Sequence, residues 1–381
     1  MNHDSLPFGS RTRYAARMPT ARAALIHEVG GGFVPGEIEL DDPIGREVLV
    51  DVRAAGLCHT DLTMAHADVG IPMPAVFGHE AAGVVAAVGP EATGVAVGDH
   101  VVGCLVQHCG TCDRCRAGRA TLCRDPGATL RGPDDPPRLT CGGEPVHQMV
   151  GIGGFAERVL VDERQLVVVS RELPFAQAAL LGCGVLTGVG AVRNAARVRP
   201  GDAVAVIGAG TVGLSAIAAA AAAGAQRIVA VDLALEKLDA AREFGATHVV
   251  DSSATDPVAA VRAATGGGAD AVLDVVGIEQ TAQQGLAMTA PGGGLYLVGV
   301  MDPTARISPK LFGLIQAQRR IEGVYMGGAD PRRDIPEIAR MARSGALDLG
   351  ALVSAEVGLD QIDEGYRMLH DPNVVRVVVA F

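Results

Sequence analysis

The stretch VAVIGAGTVGLSA, from Val204 to Ala216, decides the fold. It opens on four apolar residues, as a strand covered on both faces does. Gly208, Gly210 and Gly213 then spell G-x-G-x-x-G. Fifty glycines in the chain make that pattern weak by itself. Its setting gives it weight: a buried strand precedes it, a helix follows, and Asp232 ends the next apolar run, RIVAVD. Each glycine has its own task. Gly208 permits a tight turn, Gly210 lets the backbone approach a pyrophosphate, and Gly213 lets helix and strand pack closely, while the helix N-terminus favours phosphate charge. Asp232 would accept hydrogen bonds from adenine-ribose hydroxyls and repel a 2′-phosphate, which favours NAD over NADP. The plainer alternative is a glycine turn in an ordinary α/β domain with Asp232 as a solvated strand end.

Outward from this unit, Thr211 to Ala223 reads as a helix that Gly224 terminates. RIVAVD, LEKLDAAREFG, ADAVLDVVG and GGLYLVGV continue the alternation of strand and helix, so residues 186 to 325 imply a parallel sheet with helices on both faces. Residues 20 to 185 have another texture. EVLVDV alternates, and AGVVAAVGPEATGVAVGDHVVG breaks at Gly-Pro and Gly-Asp turns, which makes this half mainly β. The chain ends in a strand-like VVRVVVAF. A length of 381 residues sets two domains as the prior.

Composition excludes several classes. Net charge is −11 and no basic patch is visible, which argues against nucleic acid as a partner. The longest apolar run, AIAAAAAAGA, is too short to span a membrane. Residues 1 to 20 lack an apolar stretch behind their arginines and read as a flexible extension, not a signal peptide, so a cytoplasmic location is expected. In that compartment eight cysteines are not a disulfide framework. With no Trp and 3% aromatic residues, the core must be aliphatic.

CGTCDRCRAGRATLC places Cys109, Cys112, Cys115 and Cys123 at C-x2-C-x2-C-x7-C. Two-residue spacers let neighbouring sulfurs converge on one tetrahedral Zn²⁺, and four sulfurs leave no open position. Such an ion is structural and pins a lobe, here about 104–124, that has no core of its own. The alternative is four unrelated reduced thiols. Cys58 in GLCHTDL, His79 and Glu80 in VFGHEAAG, and Cys183 in LLGCGVLTG lie too far apart for spacing to join them.

These segments, with the cysteine lobe and GAGTVG, resemble the zinc-dependent alcohol dehydrogenases of the medium-chain dehydrogenase/reductase superfamily, in the same order from about residue 21 to 381. The resemblance implies an α/β protein: a GroES-like β-rich catalytic domain from 21–185 and 326–381, around a Rossmann doubly wound parallel sheet domain. It implies two Zn²⁺ per chain. Cys58, His79 and Cys183 are the implied ligands of a catalytic zinc whose open fourth position polarises an alcohol. Glu80 is implied behind that ion as an outer or transient ligand, with a buried salt-bridge partner as its other reading. Asp61 is implied to orient His79, and Thr60 to take the alcohol's proton. Thr63 stands where the family often ends its proton relay in a histidine, leaving water to finish it. His59 and Arg376 match pyrophosphate contacts, Lys237 an adenine-ribose contact, and Val212 a residue packed on nicotinamide. Cys104 and Cys141 fit neither set and read as small buried hydrophobes.

Leu105 replaces a pocket-lining Phe of some members, and with Val69 it implies a roomy pocket for a medium or bulky primary alcohol or its aldehyde. Two alternatives stand. One is a dehydrogenase of the formaldehyde adduct of a small thiol; there Gly127 occupies the place of a carboxylate-binding Arg, with Arg124 or Arg131 as substitutes. The other is a catalytically silent NAD- and zinc-binding protein, which the presence of Cys58, His79 and Thr60 disfavours. The family also implies a homodimer or homotetramer, with GGGLYLVGV pairing Rossmann sheet edges.

Overall fold

The structure, a computed structural model, describes residues 19–381. The extension expected over 1–20 therefore lies almost wholly outside the described residues, and Thr20 already opens a strand.

The strand Ala203–Ile207 is buried at every residue and lies third in a six-stranded parallel sheet. The sheet runs His248–Asp251, Arg227–Asp232, Ala203–Ile207, Ala269–Asp274, Thr289–Leu297, Arg320–Gly323. Chain order reverses between Ala203–Ile207 and Ala269–Asp274, and a doubly wound sheet opens its ligand crevice at such a point. The helix Thr211–Ala222 starts there and stops before Gly224, whose φ is +81°. GGGLYLVGV does not form the sheet edge. Its strand pairs on both sides, and Arg320–Gly323 is the edge.

The rest is β-rich. Thr20–Ile26, Val34–Leu40, Leu139–Cys141, Glu144–Gln148 and Ala75–Val76 close a small barrel. A second sheet centres on Glu47–Gly56, flanked by Glu80–Val88 and by Val377–Ala380 from the last turn of the chain. VVRVVVAF is a strand only from Val377. Before it, Val375 O accepts from Thr211 Oγ1 at 3.3 Å and Arg376 turns inward, so this segment ties the two sheet systems together. The short helix Gly184–Gly190 makes the other tie. It packs on Thr211–Ala222 so closely that a Cβ on Gly188 would fall 2.2 Å from Val212 O. Cys183 stands at the head of that helix.

Candidate active site

Three segments far apart in sequence meet at this junction. Cys58 lies two residues past the central strand Glu47–Gly56 and caps the helix His59–His66. His79 immediately precedes the strand Glu80–Val88 that Glu80 begins, and Cys183 arrives from the head of the Gly184–Gly190 helix. One ligand atom from each of Cys58, His79, Glu80 and Cys183 lies within 4.8 Å of all the others. His79 Nδ1 faces Asp61 Oδ1 at 3.0 Å, and Gly78 N donates to the same oxygen at 2.9 Å. The carboxylate thus holds the proton on Nδ1 and leaves Nε2 as the free lone pair. His79 Nε2 and Glu80 Oε2 are buried with no hydrogen-bond partner. Burying such atoms unpaired is costly, and a cation among two thiols and an imidazole removes that cost. The donor set fits zinc.

The same groups also perturb one another electrostatically. Burial raises the Glu80 carboxyl to about 7, against the lowering pull of Arg376. The Cys183 hydrogen bond holds Cys58 well below the ordinary thiol range, and the same bond holds Cys183 well above it. Burial opposes charge on His79, yet Asp61 and Cys58 together keep it well above its ordinary value. Glu80 is also a salt-bridge partner: Oε1 takes Arg376 Nη2 at 3.0 Å and Gly184 N at 3.2 Å. Gly56 gives it room, since a Cβ there would lie 2.1 Å from Glu80 Oε2.

The Sγ atoms of Cys109, Cys112, Cys115 and Cys123 form a second group of the same compactness. Backbone amides already point at two of them: Cys112 N is 3.3 Å from Cys109 Sγ, and Cys109 N is 3.2 Å from Cys123 Sγ. Hydrogen bonds from Thr111 and the neighbouring amide pull Cys109 down to about 6. Arg124 clasps Asp113 at 2.6 Å across the lobe. Of residues 109–123 only Ala120 is buried, so a metal has the role a core would otherwise fill.

At the crevice, Gly208 has φ +98°. A Cβ on Gly213 would fall 1.9 Å from Gly208 O, whereas one on Gly210 would meet nothing within 4 Å. Close packing and open space are thus divided between them. Asp232 Oδ2 accepts from Ala209 N at 2.8 Å, and Oδ1 from Leu233 N at 2.7 Å. Oδ1 also accepts from Ala234 N at 3.1 Å, so the lone pair left for a further donor is on Oδ2.

A single cavity of about 600 Å³ joins the two regions. Cys58, His59, Thr60, Thr63, Leu105 and Cys183 line it on one side. Gly208, Gly210, Val212, Gly213, Asp232 and Lys237 line it on the other, with Arg376 between. Arg376 Nη1 donates to Leu57 O at 2.6 Å, so its guanidinium is committed to Glu80 and Leu57 while an edge meets the cavity.

Val69 is misplaced by the sequence reading. The helix ends at His66, Asp68 Oδ1 accepts from Gly70 N, and the chain turns outward, leaving Val69 52% exposed and off the cavity. Cys141 is half-buried on a hairpin strand, not a core residue, whereas Cys104 is fully buried. Sequence reasoning missed Met149, Val150, Tyr325 and Met326, which also line the cavity. They sit in non-periodic turns, and their only signal was the adjoining glycines of MVGIGG and YMGG.

Two thiols and an imidazole opening onto a dinucleotide loop define a zinc-dependent dehydrogenase. Comparison with known proteins agrees. The alcohol dehydrogenase GroES-like domain matches residues 45–171, and the zinc-binding dehydrogenase domain matches 211–344. The NDMA-dependent alcohol dehydrogenase of Amycolatopsis methanolica is 38% identical over 94% of this chain and 98% of its own. The S-(hydroxymethyl)glutathione dehydrogenase of Escherichia coli is 34% identical over 95% of this chain and 100% of its own. The crystal structure of benzyl alcohol dehydrogenase from Acinetobacter calcoaceticus superposes with a TM-score of 0.90 at 32% identity, covering 96% of this chain and 100% of that one. The chain belongs to the zinc-dependent alcohol dehydrogenases of the medium-chain dehydrogenase/reductase superfamily. It is an oxidoreductase acting on alcohols, with zinc and a nicotinamide cofactor. No described helix is long and apolar enough to cross a membrane.

Proposed function

We propose that this enzyme interconverts bulky, uncharged primary alcohols and their aldehydes with NAD. Its catalytic zinc would be held by Cys58, His79 and Cys183, and a structural zinc by Cys109, Cys112, Cys115 and Cys123. One observation carries this reading: the thiol–imidazole group and the glycine loop share one cavity. When bound, the zinc supplies a Lewis acid that lowers the pKa of an alcohol hydroxyl. The nicotinamide, when bound, supplies the hydride acceptor.

The remaining work falls to the chain. Thr60 Oγ1 takes the hydroxyl proton and passes it on without holding charge. Thr63, one turn along the same helix and at the exposed mouth of the cavity, stands on the exit path, where water completes the transfer. Asp61 keeps the His79 ring in one tautomer, and Glu80 sets a carboxylate behind the ligands. Leu105, Met149, Val150 and Met326 offer the substrate an apolar wall. Both thiol clusters need reduced sulfur, which supports a cytoplasmic location.

The thiol-adduct alternative needs a free cation near the substrate. Arg131 is instead buried in ion pairs with Glu47 at 2.6 Å and Asp41 at 2.5 Å, and Arg124 is paired in the lobe. Neither lines the cavity. An alcohol and aldehyde panel with NAD and NADP, with and without glutathione, tests the choice. Bulky apolar alcohols with NAD and no thiol should react best. Activity only with thiol would reverse the substrate assignment. In the same panel Asp232→Ala should lower the NAD/NADP ratio of kcat/KM by about tenfold, the equivalent of 1.4 kcal/mol; an unchanged ratio would move the ribose contact elsewhere.

A homodimer or larger homo-oligomer belongs to the same reading. The edge strand Arg320–Gly323 is unpaired on one side, and the neighbouring helix Leu311–Gln316 has no buried residue. Its Leu311, Phe312 and Ile315 are 68, 77 and 74% exposed, an apolar surface that a second copy would cover. Sedimentation should show a dimer or tetramer, and Phe312→Asp should shift it toward monomer; a monomeric parent protein would refute this.

A further inference from the structure

We propose that Tyr366 is a positioning residue for the catalytic metal, fixing through its hydroxyl the backbone from which the Cys58 thiol projects. The inference rests on Cys58 being a zinc ligand. Leu57 and Cys58 lie between a strand and a helix, outside the ladder of either. Their peptides are held instead by the far end of the chain. Leu57 N donates to Val377 O at 2.9 Å, and Leu57 O accepts from Arg376 Nη1 at 2.6 Å. Cys58 O accepts from Asp61 N at 3.1 Å and from the Tyr366 hydroxyl at 3.3 Å. These bonds set the backbone angles at Cys58, φ −107° and ψ 140°, and so the direction of its Cβ–Sγ bond.

The Tyr366 ring is itself fixed. It is buried and stacks on Phe33 at 5.5 Å and 16°. Phe33 in turn meets Phe77 edge-on at 6.4 Å and Phe155 at 5.6 Å. Phe77 and Phe155 grip the approach to the second ligand: Phe155 N donates to Phe77 O at 2.9 Å, and a Cβ on Gly78 would strike the Phe155 ring at 2.6 Å. The chain has only eight Phe, four Tyr and no Trp. Four of these rings therefore form one cluster that links the Cys58 and His79 segments. A phenylalanine at 366 would fill the same space, so what the hydroxyl adds is the hold on Cys58.

The test compares Tyr366→Phe and Tyr366→Leu with the parent zinc enzyme by metal release to a chelator and by the visible spectrum after cobalt substitution. The catalytic metal is the one that Cys183→Ala lacks. In Tyr366→Phe the fold and the lobe zinc should persist, while catalytic zinc leaves about tenfold faster and the cobalt–thiolate bands shift. Tyr366→Leu should do the same and also melt earlier; if it does not fold, the Phe variant decides alone. A Phe variant matching the parent in release rate and spectrum overturns the proposal. Should Cys183→Ala keep the parent's full zinc content, the ligand assignment itself fails, a distinct result.

Discussion

Cys183→Ala is expected to lower kcat/KM for alcohol oxidation by about 10³-fold or more, the scale of losing several kcal/mol of Lewis-acid stabilisation. It should also remove one zinc of two. Without this sulfur, Cys58 and His79 are left with only Glu80, whose other oxygen is tied to Arg376 and Gly184 N, a poor set for a tetrahedral ion. The fold should survive, because Cys183 is a small residue at a helix head with no capping bond to lose. The glycine loop lies on another element, so NADH should still bind, which separates loss of metal from loss of structure. Cys104→Ala is the matched control. Cys104 is fully buried, belongs to neither thiol cluster, and burial pushes its thiol up to about 12. Its removal should leave zinc content and activity near those of the parent.

Gly213→Ala and Gly210→Val should fail in opposite ways. At Gly213 the added carbon would sit 1.9 Å from Gly208 O, and that oxygen is backbone. The helix must move off the strand, at a cost of about 3 kcal/mol in unfolding free energy. Gly210 has φ −83° and open space where its side chain would be, so valine there is compatible with the folded chain. In the proposed cofactor site, that space is where a pyrophosphate would approach. NADH affinity should fall by about tenfold or more with the melting temperature little changed. Calorimetry and NADH fluorescence on the two variants check both halves. A stable Gly213→Ala, or a Gly210→Val that binds NADH normally, would contradict the division of roles.

Much of this was legible because it is local. The strand, glycine loop, helix and Asp232 lie within thirty-odd residues, and each obeys a rule about its neighbours. The cysteine lobe is equally local. The proposed catalytic group is not. Cys58, His79 and Cys183 converge only because the strands Glu47–Gly56 and Glu80–Val88 pair while the Gly184–Gly190 helix packs on the dinucleotide helix. Resemblance supplied that grouping; spacing could not. The substrate wall was the least legible part. The sequence reading places Val69 with Leu105 in the substrate pocket, but a turn at Gly70 leaves it exposed. Val150 and Met326 have φ +46° and +49°, values uncommon for residues with side chains and invisible to hydrophobic patterning. Arg376 read as a cofactor contact in a strand. Its commitment to Glu80 and Leu57 depends on burial that no local pattern encodes.

The most direct measurement is an anomalous difference map from crystals of the purified enzyme, collected on both sides of the zinc absorption edge. A catalytic zinc predicts two peaks per chain, one among Cys109, Cys112, Cys115 and Cys123 and one between Cys58 Sγ, His79 Nε2 and Cys183 Sγ. A map with the first peak and an empty second position, from enzyme that still oxidises alcohols, would contradict it.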